Sequence, residues 1–246
     1  MTKLTRMIAV PIAAALMLTS PQGGAQAQSV DELVRSMTTT LAEAQAFTVH
    51  VEKTFEVVLV DGNKVQFAGA MDLAIRRPDR LWVSYGDDLS AKEAWYDGSK
   101  FTLHDLRADV YGALPAKPTI DETLDALSAQ YGVFLPLAEL FSSDAYEEFT
   151  GKVIEKLYVG QNDVGGQATH HLFFTGEHAA WQVWLPVDGP SVPLKLVVTR
   201  TEIPELPQQV FVFSDWDLAA DLPDEDFVPE IPASASLAAF LPKEGN

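Results

Sequence analysis

The chain has 246 residues, with 17 basic and 35 acidic side chains, five histidines and no cysteine, and a formal net charge of −18. The missing cysteine removes disulfides, thiolate nucleophiles, zinc–thiolate sites and lipidated cysteines. The charge disfavours nucleic acid and anionic membrane surfaces as partners, while 47 % hydrophobic and 10 % aromatic residues are enough to pack one sizeable domain.

The first 27 residues carry the marks of an export signal. Lys3 and Arg6 give a positive start, and residues 7–18 form an apolar run too short to anchor in a bilayer. Pro21, Gly23 and Gly24 interrupt it before Ala25-Gln26-Ala27, a small-x-small cleavage pattern. Cleavage near Ala27 leaves residues 28–246 as one domain in the periplasm or outside the cell. No later run approaches the ~18 apolar residues of a membrane span, so no integral membrane protein is expected.

Residues 29–45 read as an amphipathic helix. Ser29 and Glu32 have capping-box spacing, and Val30, Leu33, Val34, Met37, Leu41 and Ala44 share one stripe. The period then switches to two: Phe47, Val49, Val51, Phe55, Val57 and Leu59 alternate up to the turn at Asp61-Gly62-Asn63. Val65, Phe67, Met71, Leu73 and Ile75 continue to an Arg77-Pro78-Asp79 corner, and Leu81, Val83 and Tyr85 resume beyond it. Residues 94–96 and 101–103 flank an Asp97-Gly98 hairpin turn. These short links predict an antiparallel meander of about five strands. A helical insert over residues 119–150 follows, opened by Thr119 and Glu122 at capping-box spacing. Strand periodicity returns over residues 153–159, 168–174, 181–185, 194–200 and 210–218. Residues 219–246 read as a proline-rich acidic tail with little regular structure. The predicted fold class is mainly β with α cover: a strongly curved antiparallel half-barrel whose apolar inner wall is lidded by helices, leaving a pocket wherever lid and wall fit imperfectly.

The run Met71-Asp72-Leu73-Ala74-Ile75-Arg76-Arg77-Pro78-Asp79-Arg80-Leu81-Trp82 resembles the strand, Arg-Pro corner and strand of LolA-like periplasmic lipoprotein carriers. Tyr96-Asp97-Gly98-Ser99-Lys100-Phe101 and the closing Phe227-Val228-Pro229 are similar to segments of that LolA/LolB-like superfamily. Within it, residues 131–140, His171-Leu172-Phe173-Phe174, residues 181–185 and residues 193–199 look most like a family of predicted periplasmic proteins of unknown function. The resemblance implies about eleven strands around a cavity for acyl chains. It also implies a lid contact for Arg77, which matches the carriers' lid-holding arginine. Such a latch would donate to carbonyls at a helix end, which suits the planar guanidinium fork.

Inward-facing positions supply the expected cavity lining: Phe67, Met71, Leu73, Leu81, Val83, Phe101, Leu172, Phe174, Trp181, Val183 and Val198. Trp181 and Trp184, three apart, should face opposite ways. No G-x-S-x-G, H-E-x-x-H or P-loop is present, so neither catalytic residues nor a cofactor are assigned. His170 and His171 are adjacent on a strand and point apart, which opposes a shared metal; His178 lies beyond a turn at Gly176. Asp215 with Asp217, Asp224 to Asp226, Asp87-Asp88 and Glu147-Glu148 read as solvated acidic surface rather than calcium sites. The expected function is binding or carriage of a lipidic or apolar ligand by an exported protein. The alternative is an envelope protein-interaction or sensor module using an exposed sheet edge, and a histidine–carboxylate hydrolase is disfavoured for want of nucleophile–base spacing.

Overall fold

A computed structural model describes residues 29–243; the export signal read at residues 1–27 lies outside them. Helix α1 (Val30–Glu43) starts where the capping box places it. The Ser29 hydroxyl accepts from the Glu32 N–H at 3.2 Å, and the Glu32 carboxylate accepts from the Ser29 N–H at 2.7 Å. Its Leu33, Val34, Met37, Thr38 and Leu41 are buried.

Six strands follow: β1 (Ala46–Val58), β2 (Lys64–Arg76), β3 (Arg80–Asp87), β4 (Ala91–Tyr96), β5 (Lys100–Asp105) and β6 (Val110–Pro115). Helices α2 (Ile120–Tyr131), α3 (Ala138–Phe141) and α4 (Ala145–Thr150) form the insert. Strands β7 (Glu155–Val164), β8 (Gln167–Thr175), β9 (Ala179–Pro186), β10 (Lys195–Arg200) and β11 (Gln208–Asp217) complete the second half. A 3-10 turn (Asp224–Phe227) and a two-residue strand, β12 (Ser236–Leu237), end the chain.

All twelve strands belong to one sheet, ordered β12-β6-β5-β4-β3-β2-β1-β11-β10-β9-β8-β7. Strand β1 joins the halves, pairing antiparallel with β2 along its whole length and with β11 on its other side. One face carries the core: Phe47, Val49 and Val51 of β1 and Met71, Leu73 and Ile75 of β2 are at most 3 % exposed and pack with Met37 and Leu41 of α1. The half-barrel class expected from the sequence is the one found.

Two details differ from expectation. Among the described residues the count is twelve rather than ten or eleven, the additional strands being β6 and β12. Strand β6 carries Gly112 at its centre, which weakens the strand signal. That glycine is needed because a Cβ there would lie 2.8 Å from the Phe240 ring. The tail is also more tightly held than its composition suggests. Phe227 is fully buried against the outer face of the sheet beside Arg76, and Asp224 pairs with Arg76 and, at 3.6 Å, with Arg80. Strand β12 then adds in parallel to β6, and Phe240 returns to stack near Phe101 and Tyr131.

Candidate ligand site

The lid does not fit the wall evenly. Under α1, α3 and α4 the inner wall is filled by the protein's own side chains: Leu172, Phe174 and Val183 are at most 1 % exposed. There Phe149 of α4 meets Phe174 and Trp181 edge-on, with ring centres 5.3 and 5.9 Å away. Under α2 a cavity of about 190 Å³ remains, open on one side. Its floor is Leu81 and Val83 of β3, Ala94 of β4, and Phe101 and Leu103 of β5. Its roof is Leu124 and Leu127 of α2 and the segment Val133, Phe134, Leu135 and Pro136. Phe134 is 71 % exposed at this roof. The two halves of the lid differ for a physical reason. Helix α2 ends at Gly132, whose φ of 64° breaks the helix, and the chain then runs without regular structure to α3.

Of the expected lining residues, Leu81, Val83 and Phe101 stand in this cavity. Met71, Leu73, Leu172, Phe174 and Val183 lie in the closed core, with Trp181 and Val198 packed against it. Phe67 is on the long β1–β2 hairpin, its ring 5.6 Å from that of Phe55. Lining residues not anticipated include Tyr85, Lys92, Leu124 and Val133.

Arg77 sits at the corner between β2 and β3 and reaches under the lid. Its Nη2 donates to the carbonyl of Leu41 at the end of α1 (3.3 Å) and to that of Phe141 at the end of α3 (2.7 Å). Burial pushes its pKa down, while the charge of Asp121 opposes that shift.

At one end of the cavity the wall turns polar. Strand register places Tyr85 of β3 beside Lys92 of β4, and Lys92 beside Asp105 of β5. The Tyr85 hydroxyl donates to the Asp87 carboxylate and accepts from Lys53 Nζ at 3.3 Å. Burial, together with that carboxylate, drives the Tyr85 pKa up. Burial lowers the Lys53 pKa against the opposing charge of Asp87. Burial acts to raise the Asp87 pKa, but the Tyr85 hydroxyl and the N–H groups of Leu89 and Ser90 outweigh it and hold the carboxyl low. The row closes through Gly69, where a Cβ would lie 2.4 Å from both the Asp87 Cβ and the Gly86 carbonyl oxygen. Gly69→Ala is therefore expected to cost about 1–3 kcal/mol of stability, as overpacking against backbone does. A urea midpoint equal to that of the unaltered protein would show that the strands part freely there.

The outer face has a larger, more open space of about 450 Å³ under the tail. Trp82 and Trp95 line it together with Glu93, Glu225, Asp226 and Glu230, an acidic surround that does not suit an uncharged chain. Trp184, opposite in sense to Trp181 as its spacing requires, is stacked on His171 with ring centres 4.0 Å apart. His170 meets the Tyr158 hydroxyl (3.1 Å), His171 meets Gln182 (2.9 Å), and His178 lies 3.9 Å from Glu177. Among the described residues no group of three or more His, Asp or Glu gathers to hold a metal, and no helix is long and apolar enough to cross a membrane.

With this geometry, the class is that of an open curved sheet lidded by helices over a partial apolar cavity. The chain belongs to the family described as "Predicted periplasmic protein (DUF2092)", whose model matches residues 30–241. This is the kind of family that the segments around Tyr131 and His171 resembled. No curated protein sequence matches. The fold is similar to that of an uncharacterized conserved protein from Thermus thermophilus (TM-score 0.50, 9 % identity, 86 % of this chain and 99 % of that one). Also similar are LprF from Mycobacterium bovis (TM-score 0.47, 12 % identity, 84 % and 97 %) and the LolA superfamily protein NE2245 from Nitrosomonas europaea (TM-score 0.38, 11 % identity, 83 % and 99 %).

Proposed function

We propose that the protein is exported, cleaved near Ala27, and binds the alkyl chain of a lipidic ligand between α2 and the inner wall of the sheet as a single-domain carrier. The observation behind this is the apolar cavity of about 190 Å³ beneath a lid whose other half is tightly packed. That volume is below the roughly 300–1,000 Å³ of ordinary ligand sites, so a long chain enters only as the segment around Phe134 moves outward. Each buried ligand methylene contributes about 0.8 kcal/mol, so several offset the opening of such a segment. Arg77 keeps the α1 and α3 side of the lid closed while the α2 side gives way. Gentle purification followed by native mass spectrometry is expected to show co-purified lipid, and an environment-sensitive apolar dye to bind and be displaced by long-chain alcohols. A protein that carries no lipid and takes up no dye is not a carrier.

One observation favours the second reading, an envelope protein-interaction module. Strand β7 is a sheet edge without a strand partner on its outer side among the described residues, and its Leu157 and Val159 are exposed, whereas the opposite edge is capped by β12. Capture of an extended peptide on β7 by a protein that binds no lipid would establish this module instead.

A further inference from the structure

We infer that the cavity selects amphiphiles with an anionic head group, a carboxylate or a phosphate monoester, held by Lys92 with Lys53 behind it. This presupposes the carrier function above and adds the chemistry of the ligand's polar end. In a chain of net charge −18, two lysines stand on the inward parity of the sheet at the rim of the cavity, Lys53 half-buried and Lys92 exposed, in a row that also holds Asp87 and Asp105. Lys92 follows the inward order of Ala94 and Tyr96 on β4, one rung beyond the apolar floor formed by Val83 and Ala94. Lys53 follows Val49 and Val51 on β1.

The carboxylates of the same row lie near these lysines, with Asp105 opposite Lys92 in the register, but their hydrogen bonds go to Tyr85 and to turn N–H groups. Asp87 accepts from Tyr85 and from the N–H groups of Leu89 and Ser90 (2.7 and 2.6 Å). Asp105 accepts from the N–H groups of Arg107 and Ala108 (3.1 and 3.0 Å). Both hold the turns that end their strands. Glu93, between Lys92 and Ala94, borders both this cavity and the outer-face space with Trp95; strand alternation sets it on the face opposite to Lys92. Among the described residues neither lysine has a carboxylate oxygen within 4 Å. The ammonium of Lys53 is instead surrounded by the rings of Phe55, Tyr85 and Phe211, at 4.5, 5.4 and 5.9 Å, and touches the Tyr85 hydroxyl.

A chain laid along Leu81, Val83 and Phe101 brings its head to Lys92, Ser90 and Tyr85 at the polar end of the cavity. An anionic oxygen there gains a charge-assisted hydrogen bond from Lys92; a hydroxyl gains a weaker one, and an ammonium is repelled. The overall negative charge still repels an anionic membrane. A single head group in contact with Lys92 samples mainly the local charge, because exposed charges beyond about 8 Å are screened at physiological salt.

The test is competition against a bound apolar dye on the purified protein, using dodecanoate, dodecyl phosphate and dodecanol at low salt. Both anions are expected to displace the dye at roughly tenfold lower concentration than dodecanol, the worth of one hydrogen bond to a charged group. Lys92→Gln should weaken the anions roughly tenfold and dodecanol far less, so that the three converge, and a urea midpoint equal to that of the unaltered protein shows the variant is folded. Preference for only one anion identifies the head group as carboxylate or phosphate. Equal displacement by all three ligands overturns the head-group assignment and leaves the carrier function standing; no displacement by any overturns both. An anion preference that survives both Lys92→Gln and Lys53→Met places the charge recognition elsewhere and overturns the role given to these lysines.

Discussion

Replacing Arg77 with methionine is expected to lower the free energy of unfolding by about 1.5–3 kcal/mol, the usual worth of hydrogen bonds to a charged group. Methionine keeps much of the aliphatic stem, so lost packing is a small part of the effect. What disappears is one donor serving two helix ends. The last turns of α1 and α3 contain no basic residue, and their final carbonyls have no partner within their own helices. Arg77 reaches from the β2–β3 corner to the carbonyls of Leu41 and Phe141 and supplies what both lack. Arg77→Lys should recover only part of the loss, since both bonds come from the single Nη2 and the shorter lysine stem must carry its ammonium to that same point. Urea unfolding measures the change as a lower midpoint at unchanged slope. The latch role makes a separate demand: under native conditions the methionine variant should take up an apolar dye more readily than the unaltered protein. A destabilised variant with unaltered dye affinity would mean that Arg77 ties the helices together without governing access to the cavity.

The architecture was legible where local chemistry and pattern agree. The capping box at Ser29 and Glu32, the period-two runs of β1 and β2, and the Asp61-Gly62 and Asp97-Gly98 turns each point to one structure, and all of them formed. Strand β6 was hidden because Gly112 interrupts its pattern, and the need for that glycine is set by Phe240, far along the chain. The site was legible only in part. Alternation groups residues by face, and Leu81, Val83 and Phe101 of the expected lining stand at the cavity. It does not show which stretch of wall the lid seals, because that depends on how α1, α3 and α4 pack against β8 and β9. Leu172 and Leu81 look alike in sequence, yet one is sealed beneath the lid and the other lines the cavity. The polar end of the cavity leaves only an ambiguous trace in the sequence, because Lys53 and Lys92 share inward parity with Asp87 and Asp105, which cap turns.

The largest single loss of stability is expected from Phe227→Ala, about 3–5 kcal/mol, in the range for truncating a fully buried phenylalanine. Phe227 is 0 % exposed although it lies in an acidic, proline-rich tail that otherwise skirts the surface. Its ring is the apolar contact by which that tail is fixed to the outer face, next to the space lined by Trp82 and Trp95. The ion pairs of Asp224 with Arg76 and Arg80 sit beside it, but Asp224 is exposed, and surface pairs of this kind contribute little. Asp224→Asn should therefore barely move the unfolding midpoint, whereas Phe227→Ala should lower it strongly. Freed from its plug, the tail is expected to become the first site of limited proteolysis, and Trp95, now 3 % exposed, to shift its fluorescence toward that of a wetter indole. Because β12 and Phe240 lie further along the same tail, release at Phe227 also loosens the cap on β6 and the packing around Tyr131 at the end of α2. Dye uptake by Phe227→Ala then reports whether the tail on the outer face and the cavity on the inner face are coupled through α2. A variant with the stability and proteolytic pattern of the unaltered protein would show that the ion pairs, and not the ring, hold the tail in place.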